Sequence, residues 1–459
     1  MPNSKSNIQT INPHNGKMLD TYSTHDTDTI SAKIALSKDT SNIWKKTSLS
    51  DRAYIVREIA ESILTRKDEL AKLCSLEMGK PISQSIAEIK KSANALMFYA
   101  QHAPQWLESK RAEHIEQEAY VTYAPLGTLL AIMPWNFPYW QVLRAMGPAL
   151  MAGNTMLLKH ASNVTGCALA IEEAVQSTSA PKGLFQTLII PGSKMSEIIA
   201  HPDIHAIAFT GSSEIGKIIA SQAGAHLKKH VLELGGSDPY LVLEDADIDL
   251  AAQKCVQSRL NNAGQSCIAA KRWIVHTSVY DAFKDKATQL MKSYTYGDPL
   301  DANHKMGPLV DIKARDHLHE QVKTALQHGG KLILGGEIPS HEGAYYPPSI
   351  IENIQIQNPI FNEELFGPVA LLFSFDTLEE AFKIANATPY GLGGAVFSKD
   401  EEKAYEIASK HLDTGSIFIN NMVVSHPALP FGGIKDSGYG RELSALALYE
   451  FSNIKTISK

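Results

Sequence analysis

Cysteine is scarce in this sequence, whose 459 residues include four: Cys74, Cys167, Cys255 and Cys267. The four lie far apart, which excludes a disulfide framework, and none of their spacings is that of a zinc site. We therefore expect neither structural disulfides nor a bound metal. A reducing cytoplasm is the expected location of such a protein.

Long apolar runs and an excess of basic charge are absent as well. No stretch approaches the roughly 20 apolar residues that cross a bilayer, and residues 1–10 lack the apolar core of a signal peptide. The net charge is −6 and there is no long run of lysine and arginine, so binding to nucleic acid or to a membrane is not indicated. With 44% hydrophobic residues, the chain can bury a large core, and its length predicts more than one domain.

The first hundred residues have the pattern of helices. Ser48 and Asp51 have the spacing of a capping box, and isoleucines recur every four residues behind them. The sequence Gly-Lys-Pro at 79–81 is expected to end this helix. A second helix is predicted over 82–106.

From residue 118 onward, short apolar segments alternate with helical ones. Strands of this block are predicted at 121–123, 129–133, 155–158, 186–190, 206–210 and 229–232. Helices between them are predicted at 140–152, 167–176, 194–200 and from 214. Such alternation indicates βαβ units around a parallel sheet, and such a sheet binds ligands at the carboxyl ends of its strands.

A second alternating block is predicted between residues 240 and 418. Its helices are expected at 279–291, 312–327 and 378–387, and its strands at 370–375 and 394–397. The glycine-rich region 329–343 is predicted to be a surface loop with a short strand inside it. The tail, 451–459, alternates like an edge strand, and exposed edges often pair with another subunit.

Residues 206–216, Ala-Ile-Ala-Phe-Thr-Gly-Ser-Ser-Glu-Ile-Gly, have the order strand, glycine turn and helix start. A helix N-terminus behind a glycine suits a phosphate, because free N–H groups and the helix dipole both favour an anion. The spacing G-x-x-x-x-G followed by Lys217 is close to a P-loop. However, Ile218 occupies the position of the magnesium-binding Ser or Thr, which excludes that interpretation. An ordinary βα turn stays open as the alternative.

Three further residues have the chemistry needed to act on a carbonyl group. Cys267 follows Gly-Gln-Ser. Glu233 follows the apolar pair Val-Leu and stands two residues before Gly-Gly, and Asn136 lies between two prolines. Each taken singly has a structural alternative: a small buried hydrophobe, a solvated strand end and a turn residue, respectively. The other three cysteines fit helical patterns and are interpreted as structural.

Six stretches resemble, in order and spacing, the aldehyde dehydrogenases of the NAD(P)-dependent superfamily. They are PWNFP (134–138), FTGSSEIG (209–216), LELGG (232–236), GQSC (264–267), EELFGPV (363–369) and PFGGIKDSGYGRE (430–442). The resemblance covers nearly the whole chain. Six ordered matches are far more specific than any one of them.

The resemblance implies an α/β fold with a Rossmann-type cofactor domain, an α/β catalytic domain and a small β oligomerisation arm. The cofactor domain would comprise residues 1–106 and 126–234, and the catalytic domain residues 235–439. The arm would comprise residues 107–125 and 440–459. It would join subunits into a homodimer or homotetramer.

By the same resemblance, Cys267 is the nucleophile that attacks the aldehyde carbon. The Asn136 side-chain amide and the Cys267 backbone N–H are expected to hold the resulting oxyanion. Hydride then leaves to the nicotinamide, and a thioester remains on the sulfur. Glu233 is expected to activate the water that hydrolyses this thioester.

The resemblance also places the cofactor. The pyrophosphate is expected near the turn from Gly211 to Gly216, with Ser212 as a phosphate contact. Glu364 matches the residue that binds the hydroxyls of the nicotinamide ribose. Phe366 is expected to pack near the nicotinamide.

Cofactor choice is predicted from the end of another strand, while Trp135 is expected beside the cofactor cleft. Ser162 stands where NAD-specific relatives commonly have a glutamate that binds the adenosine ribose. A serine can donate to a 2′-phosphate that a carboxylate would repel, and Lys159 adds positive charge. We therefore predict that NADP is accepted as well as NAD. The alternative is that Ser162 only caps the next helix.

Arg144, eight residues after Asn136, is expected at the mouth of the aldehyde channel. Succinate-semialdehyde dehydrogenases carry arginine there, and a guanidinium can bind a substrate carboxylate bidentately. Ser425 would add a hydroxyl donor. Asn261 stands where some of those relatives have a second arginine, and Arg259 is two residues further away. A surface salt bridge is the alternative role for Arg144.

We therefore predict an NAD(P)-dependent aldehyde dehydrogenase that oxidises succinate semialdehyde to succinate. Another short carboxylated or phosphorylated aldehyde is the nearest alternative, since Arg144 would attract either. Acyl transfer to coenzyme A is less favoured. A catalytically retired binding or structural protein is the alternative from another class, and retention of Cys267, Glu233 and Asn136 argues against it.

Overall fold

Two open α/β sheets, a three-stranded sheet and a hairpin make up residues 7–459, the part of the chain that the structure, a computed structural model, describes. In chain order the elements begin with β1 (Asn7–Ile11), β2 (Met18–Ser23), α1 (Thr27–Trp44), α2 (Leu49–Thr65), α3 (Lys67–Met78), α4 (Ile82–Trp106), β3 (Lys110–Arg111), β4 (Ala119–Pro125), β5 (Thr128–Met133), α5 (Trp140–Met151), β6 (Thr155–His160), α6 (Thr165–Gln176), β7 (Phe185–Thr187), α7 (Met195–Ala200), β8 (Ala206–Thr210), α8 (Ser213–Ala225) and β9 (Lys229–Glu233). They continue with β10 (Asp238–Val242), α9 (Ile248–Leu260), β11 (Ala270–His276), α10 (Tyr280–Lys292), α11 (Ile312–Gln327), β12 (Lys331–Leu334), β13 (Ser349–Glu352), β14 (Val369–Phe375), α12 (Leu378–Asn386), β15 (Gly393–Phe397), α13 (Glu401–Lys410), β16 (Ser416–Ile419), β17 (Gly438–Tyr439), α14 (Leu446–Glu450) and β18 (Ser452–Ser458).

The first α/β sheet has the strand order β17-β9-β8-β5-β6-β7, parallel except for β17. The central strand β5 reads Thr-Leu-Leu-Ala-Ile-Met and is buried throughout. Leu129 and Ala131 pack into a core cluster on one face, while Leu130 and Ile132 pack into a second cluster on the other. Burial on both faces explains the continuous apolar run. The carboxyl ends of β5, β6, β8 and β9 share one edge, where such sheets bind ligands.

The second α/β sheet has the order β12-β13-β14-β11-β10-β15-β16, and only β12 is antiparallel within the described residues. Its strands and helices enclose a core of their own. The segment that carries Cys267 joins α9 to β11 and so lies at the end of this sheet that faces the first one.

The third sheet, β18-β4-β3, joins the C-terminus to the segment that precedes β5. β18 pairs antiparallel with β4 along its whole length, and all its residues after Ser452 are exposed. Before reaching this sheet the chain returns to the first one, because β17 pairs with β9. The division into three domains stays a proposal.

The predicted α/β class is confirmed, and several predicted elements have the bounds found, for example the strand at Ala206–Thr210 and the helix at Ile312–Gln327. The predicted strand at 186–190 is shorter, since its ladder with β6 covers only Phe185–Thr187. Within residues 7–459 no helix combines the length and apolar character needed to cross a membrane, and no group of three or more His, Cys, Asp or Glu residues is placed to hold a metal ion.

Two predictions for the N-terminal region were wrong. From residue 7 onward the chain forms the β1–β2 hairpin before any helix, and the turn of this hairpin contains Gly16 in the left-handed region with φ of 68°. The helix expected up to residue 78 is two helices, because Arg66 leaves helical geometry with ψ of 9°. The Arg66 guanidinium contacts Glu69 and Glu173 and the Ala170 carbonyl. The local sequence pattern does not reveal contacts with distant residues of α6, so it could not predict the break at Arg66.

Candidate active site

Two adjoining pockets meet at Cys267. We call the first the sheet-edge pocket; it is lined by Pro134, Trp135, Asn136, Gln141, Thr210, Gly211, Ser212, Leu234, Gly235, Cys267, Glu364 and Phe366. We call the second the lysine–arginine pocket; its lining includes Lys91, Phe137, Trp140, Gln141, Arg144, Asn261, Cys267, Ser425 and Phe431. Cys267 and Gln141 line both pockets, so molecules in the two pockets can meet at one sulfur.

The loop before Cys267 is strained and tightly bonded. Asn262 and Ala263 both have φ of 53°, a region that residues other than glycine rarely adopt. The Asn262 side-chain amide donates to the carbonyls of Asn136 at 2.8 Å and Gln265 at 3.2 Å. These bonds fix the loop to the segment that carries Asn136. Strain of this kind persists only where the surroundings hold it, and it is concentrated at functional sites.

Cys267 differs from the other cysteines in its surroundings. Of the cysteines in the described part of the chain, it alone is partly exposed, while the others are buried in helices. Burial raises the pKa of its thiol to about 12, and the positive charges of Lys271 and Arg144 oppose this shift. The thiol is therefore protonated at neutral pH and needs further positive charge or a base to become a thiolate.

Asn136 lies where the sequence predicted an amide beside the thiol. Its side chain is buried and lines the sheet-edge pocket together with Cys267. The amide nitrogen donates to the Gln265 carbonyl at 3.1 Å. The side-chain oxygen has no hydrogen-bond partner among residues 7–459. The structure therefore brings amide and thiol together, and the oxyanion role of Asn136 stays a prediction.

Glu233 ends β9 and is 2% exposed, which contradicts the alternative of a solvated strand end. It lies outside the lining of both pockets, and neither carboxylate oxygen has a hydrogen-bond partner in the described chain. Burial raises its pKa well above the ordinary range, Glu442 raises it further, and Arg144 opposes both effects. The raised pKa favours the protonated form of this carboxyl group, which must ionise before it acts as a base.

Arg144 lines the lysine–arginine pocket, as predicted, but its charge is already paired. Its Nε forms an ion pair with Glu442, and the guanidinium contacts Thr210 Oγ1 at 3.4 Å. Its Cζ lies 4.9 Å from the centre of the Phe431 ring. The alternative of a surface salt bridge is wrong, because the side chain is 2% exposed. Ser425 lines the same pocket, and the substrate role of both residues stays a prediction.

Glu364 is held by the segment that follows β9 and by a lysine at the start of β11. It accepts from the Gly236 N–H at 3.1 Å and forms a 3.0 Å ion pair with Lys271. Buried Lys271 also donates to the carbonyls of Ser266 at 3.0 Å and Cys267 at 2.7 Å. Lys271 therefore connects residues 261–267, which we call the nucleophile loop after the role predicted for Cys267, to the carboxylate predicted to bind the cofactor ribose.

The aromatic residues predicted beside the cofactor form one wall of the sheet-edge pocket. Trp135 and Phe366 are in edge-to-face contact with ring centres 5.7 Å apart. Such a wall offers a flat apolar surface to a ring-shaped ligand.

The predicted phosphate turn follows β8 and begins α8. Gly211 and Ser212 line the sheet-edge pocket, and Ser212 caps the helix by accepting from the Ile215 N–H at 3.4 Å. Gly216 lies outside the lining of this pocket. A Cβ at this position would lie 2.4 Å from the Leu234 side chain. Gly216 therefore allows α8 to pack closely against the residues after β9.

Lys159 and Ser162 lie at the carboxyl end of β6, further along the same sheet edge and outside the sheet-edge pocket. Ser162 is exposed, and neither α6 nor the short turn before it has a side-chain cap. Its backbone carbonyl accepts from Thr165 Oγ1 at 2.8 Å. The capping alternative for Ser162 is therefore wrong. Burial lowers the pKa of Lys159, and the cofactor role of both residues stays a prediction.

Asn261 and Arg259 show that no second arginine reaches the lysine–arginine pocket from the end of α9. Asn261 lines the lysine–arginine pocket. Arg259 points elsewhere: it is fully buried and donates to the carbonyls of Gly264 at 2.6 Å and Leu365 at 3.3 Å. Arg259 therefore holds the nucleophile loop and does not replace the missing arginine.

Sequence reasoning missed four residues of the site: Lys91, Gln141, Lys271 and Glu442. Glu442 belongs to the last of the six matching stretches, so its position in a motif was an available signal. Lys91 lies within α4 among ordinary helical residues, and no local pattern distinguishes it from its neighbour Lys90. Only the packing of α4 against α5 brings Lys91 to the pocket.

Comparison with known proteins agrees with this geometry. Residues 1–457 match the sequence model described as the Aldehyde dehydrogenase family. A protein of Synechocystis sp. named probable succinate-semialdehyde dehydrogenase [NADP(+)] is 43% identical over 450 residues, which are 98% of this chain and 99% of that protein. A succinate semialdehyde dehydrogenase [NAD(P)+] of Escherichia coli is 41% identical over 98% of this chain and 97% of its own.

A solved structure is similar over the same extent. The crystal structure of succinic semialdehyde dehydrogenase from Streptococcus pyogenes, in complex with NADP+ as the cofactor, has a TM-score of 0.96 and 37% identity. The match covers 98% of this chain and 99% of that one. The resemblance seen in the six stretches is thus confirmed along the whole chain. The chain belongs to the aldehyde dehydrogenase family.

Proposed function

We propose that this protein oxidises succinate semialdehyde to succinate with NADP+ as the electron acceptor, and that it also accepts NAD+. The observation that carries the proposal is the placement of Arg144 and Ser425 in the pocket that ends at Cys267. Cationic and hydroxyl groups beside the nucleophile suit an aldehyde with an anionic tail. The names of the relatives from Synechocystis and Escherichia coli support the same substrate.

The sheet-edge pocket fits a nicotinamide dinucleotide. It combines the N-terminus of α8, a carboxylate at Glu364 and the Trp135–Phe366 wall, and it ends at Cys267. These groups suit a pyrophosphate, ribose hydroxyls and a ring, respectively. Beyond the pocket, the exposed hydroxyl of Ser162 and the charge of Lys159 suit a 2′-phosphate. When bound, the cofactor supplies the acceptor for the hydride.

The chain's own residues perform the covalent steps. The Cys267 thiol first loses its proton to solvent. The resulting thiolate then attacks the aldehyde carbon, a C–S bond forms, and the carbonyl electrons move to oxygen. The Asn136 amide and the Cys267 N–H stabilise that oxyanion. When the C=O bond reforms, the hydride leaves and a thioester remains on Cys267. This order is favoured because a tetrahedral oxyanion is a better hydride donor than an aldehyde.

Glu233 completes the cycle. In its ionised form it accepts a proton from water as the water oxygen attacks the thioester carbon. The C–S bond breaks, the thiolate of Cys267 is regenerated, and the carboxylic acid departs. Arg144 assists by opposing the rise in the Glu233 pKa, although Glu442 shares its charge.

An assay of NADP+ and NAD+ reduction with a panel of aldehydes tests the proposal. Succinate semialdehyde is compared with the neutral butanal and with a short phosphorylated aldehyde. We expect the highest kcat/KM for succinate semialdehyde and turnover with NADP+. A preference for butanal or for the phosphorylated aldehyde would contradict the substrate. A strong preference for NAD+ would contradict the role of Ser162.

We also propose that the protein forms a homodimer or homotetramer in the cytoplasm. The exposed strand β18 and the sheet β18-β4-β3 support assembly, since an exposed edge strand can pair with another subunit. The scattered, unpaired cysteines support a reducing compartment. Mass determination in solution tests the assembly, and a monomer would contradict it.

A further inference from the structure

The lysine–arginine pocket contains a second cation that the sequence did not predict. Lys91 of α4 keeps part of its surface exposed, while its Nζ turns into the enclosed pocket wall. The Nζ donates to Ser425 Oγ at 2.6 Å and lies 4.1 Å from the centre of the Trp140 ring. Lys91 therefore lines the same cavity as Cys267, beside the hydroxyl predicted to bind the substrate.

The two cations of this pocket differ in what already neutralises them. Arg144 is buried and forms an ion pair with Glu442. In the described chain, by contrast, the contacts of the Lys91 ammonium are a hydroxyl and an aromatic ring, and no Asp or Glu forms an ion pair with it. An ammonium without a carboxylate partner gains most from an incoming carboxylate.

We propose that Lys91, together with Ser425, makes the direct contact with the substrate carboxylate and takes the place of the arginine that is absent at Asn261. Arg144 contributes positive potential and supports Glu233 rather than gripping the carboxylate. This inference rests on the proposed function, because it assumes a carboxylated aldehyde.

Surrounding charges agree with this assignment. Burial lowers the pKa of Lys91 to about 8, and Arg144 from α5 and Lys80 lower it as well. Glu88 on the same helix and Cys267 on its loop oppose this shift. Because the lowered pKa lies near neutrality, the cation is lost as pH rises through about 8. The KM for succinate semialdehyde should rise there, and that for butanal should not follow it.

The test compares Lys91→Met with Lys90→Met, the adjacent exposed lysine of the same helix. Each variant and the wild type are assayed with succinate semialdehyde and with butanal. Losing a charged hydrogen bond to the substrate should lower kcat/KM for succinate semialdehyde about 10–150-fold in Lys91→Met, mainly through KM. The ratio of kcat/KM between succinate semialdehyde and butanal should fall by a comparable factor, and NADP+ binding measured by fluorescence quenching shows that the variant folds. Lys91→Arg should retain most of the preference, and Lys90→Met all of it.

Succinate inhibition of butanal oxidation provides a second readout that needs no turnover of the semialdehyde. The inhibition constant should rise in Lys91→Met by a similar factor. If Lys91→Met keeps both the substrate preference and the succinate inhibition, the inference is wrong and Lys91 only orients Ser425. If the wild type itself does not prefer succinate semialdehyde over butanal, the proposed function is wrong, whatever Lys91 does.

Discussion

The two pockets that meet at Cys267 are built in different ways. The sheet-edge pocket consists mainly of segments that follow β5, β8 and β9, so one parallel sheet places them side by side. The lysine–arginine pocket gathers side chains from α4, from α5, from the nucleophile loop and from residues 422–425. No single sheet or repeated connection aligns these four segments.

This difference predicts that two properties of the enzyme, its rate with all aldehydes and its choice between aldehydes, can be changed separately. In the proposed function the sheet-edge pocket would supply chemistry that every aldehyde uses, so its variants should affect all aldehydes equally. In the proposed function the lysine–arginine pocket would contact the rest of the substrate, so its variants should change the choice between aldehydes. Variants of Cys267, Glu233, Asn136 and Ser162 test this separation, and Lys91→Met tests it in the lysine–arginine pocket.

The largest effect is expected at the sulfur that both pockets share. Cys267→Ala should lower kcat by more than about 10⁴-fold for succinate semialdehyde and butanal alike, because no other group can form the covalent intermediate. NADP+ binding, measured by quenching of protein fluorescence, should persist. Substantial turnover in the variant would contradict covalent catalysis. So would iodoacetamide labelling of the native protein at Cys255 in preference to Cys267.

Glu233→Gln should separate the two half-reactions. The first turnover should still produce a burst of NADPH, while steady-state turnover falls about 10²–10⁴-fold for both aldehydes because water is no longer activated. In the wild type, steady-state turnover should increase with pH as the carboxyl group with the raised pKa ionises. Rapid-mixing absorbance measures both phases. Glu402→Gln, at an exposed position of α13, is the control, and loss of the burst in Glu233→Gln would contradict the assigned step.

Asn136→Ala should lower kcat about 10²–10³-fold, since one oxyanion donor is removed. The ratio of kcat/KM between succinate semialdehyde and butanal should stay unchanged, because the oxyanion is common to all aldehydes. Asn94→Ala, at an exposed position of α4, is the matched control. A loss confined to one aldehyde would break the separation of the two pockets.

The smallest of these effects is expected at the far end of the sheet edge. Ser162→Glu should lower kcat/KM for NADP+ about 10–100-fold, because a carboxylate repels the 2′-phosphate, while NAD+ is used at least as well as before. The preference between aldehydes should not move. Ser162→Ala tests the hydroxyl alone. If Ser162→Glu leaves the NADP+/NAD+ ratio unchanged, cofactor choice is decided elsewhere.

Much of the sheet-edge pocket could be predicted from the sequence. Five residues of the matching stretches line this pocket, as expected: Asn136, Gly211, Ser212, Glu364 and Phe366. Gly216 belongs to such a stretch too, yet it serves helix packing. A motif fixes the local backbone, but it does not tell whether a given residue faces the ligand or the neighbouring element.

The lysine–arginine pocket could be predicted only in part. Arg144 follows Asn136 by eight residues and lies one turn into α5, so its nearness to the pocket could be predicted from the sequence. Its pairing with Glu442 was not, because 298 residues separate the two and no periodicity links them. Lys91 was missed for the same reason, since its neighbour Lys90 has the same chemistry and differs only in the helix face it occupies.

The sequence by itself determined the family and the α/β class and predicted candidates for the reacting groups, because these depend on ordered local motifs and on strand and helix periodicities. Tertiary structure alone decided which charges remain available to a substrate. A side chain's charge is written in the sequence, but whether another charge neutralises it depends on which distant segments pack against it. In this protein that packing pairs Arg144 with Glu442 and leaves Lys91 facing the pocket without a carboxylate partner among the described residues.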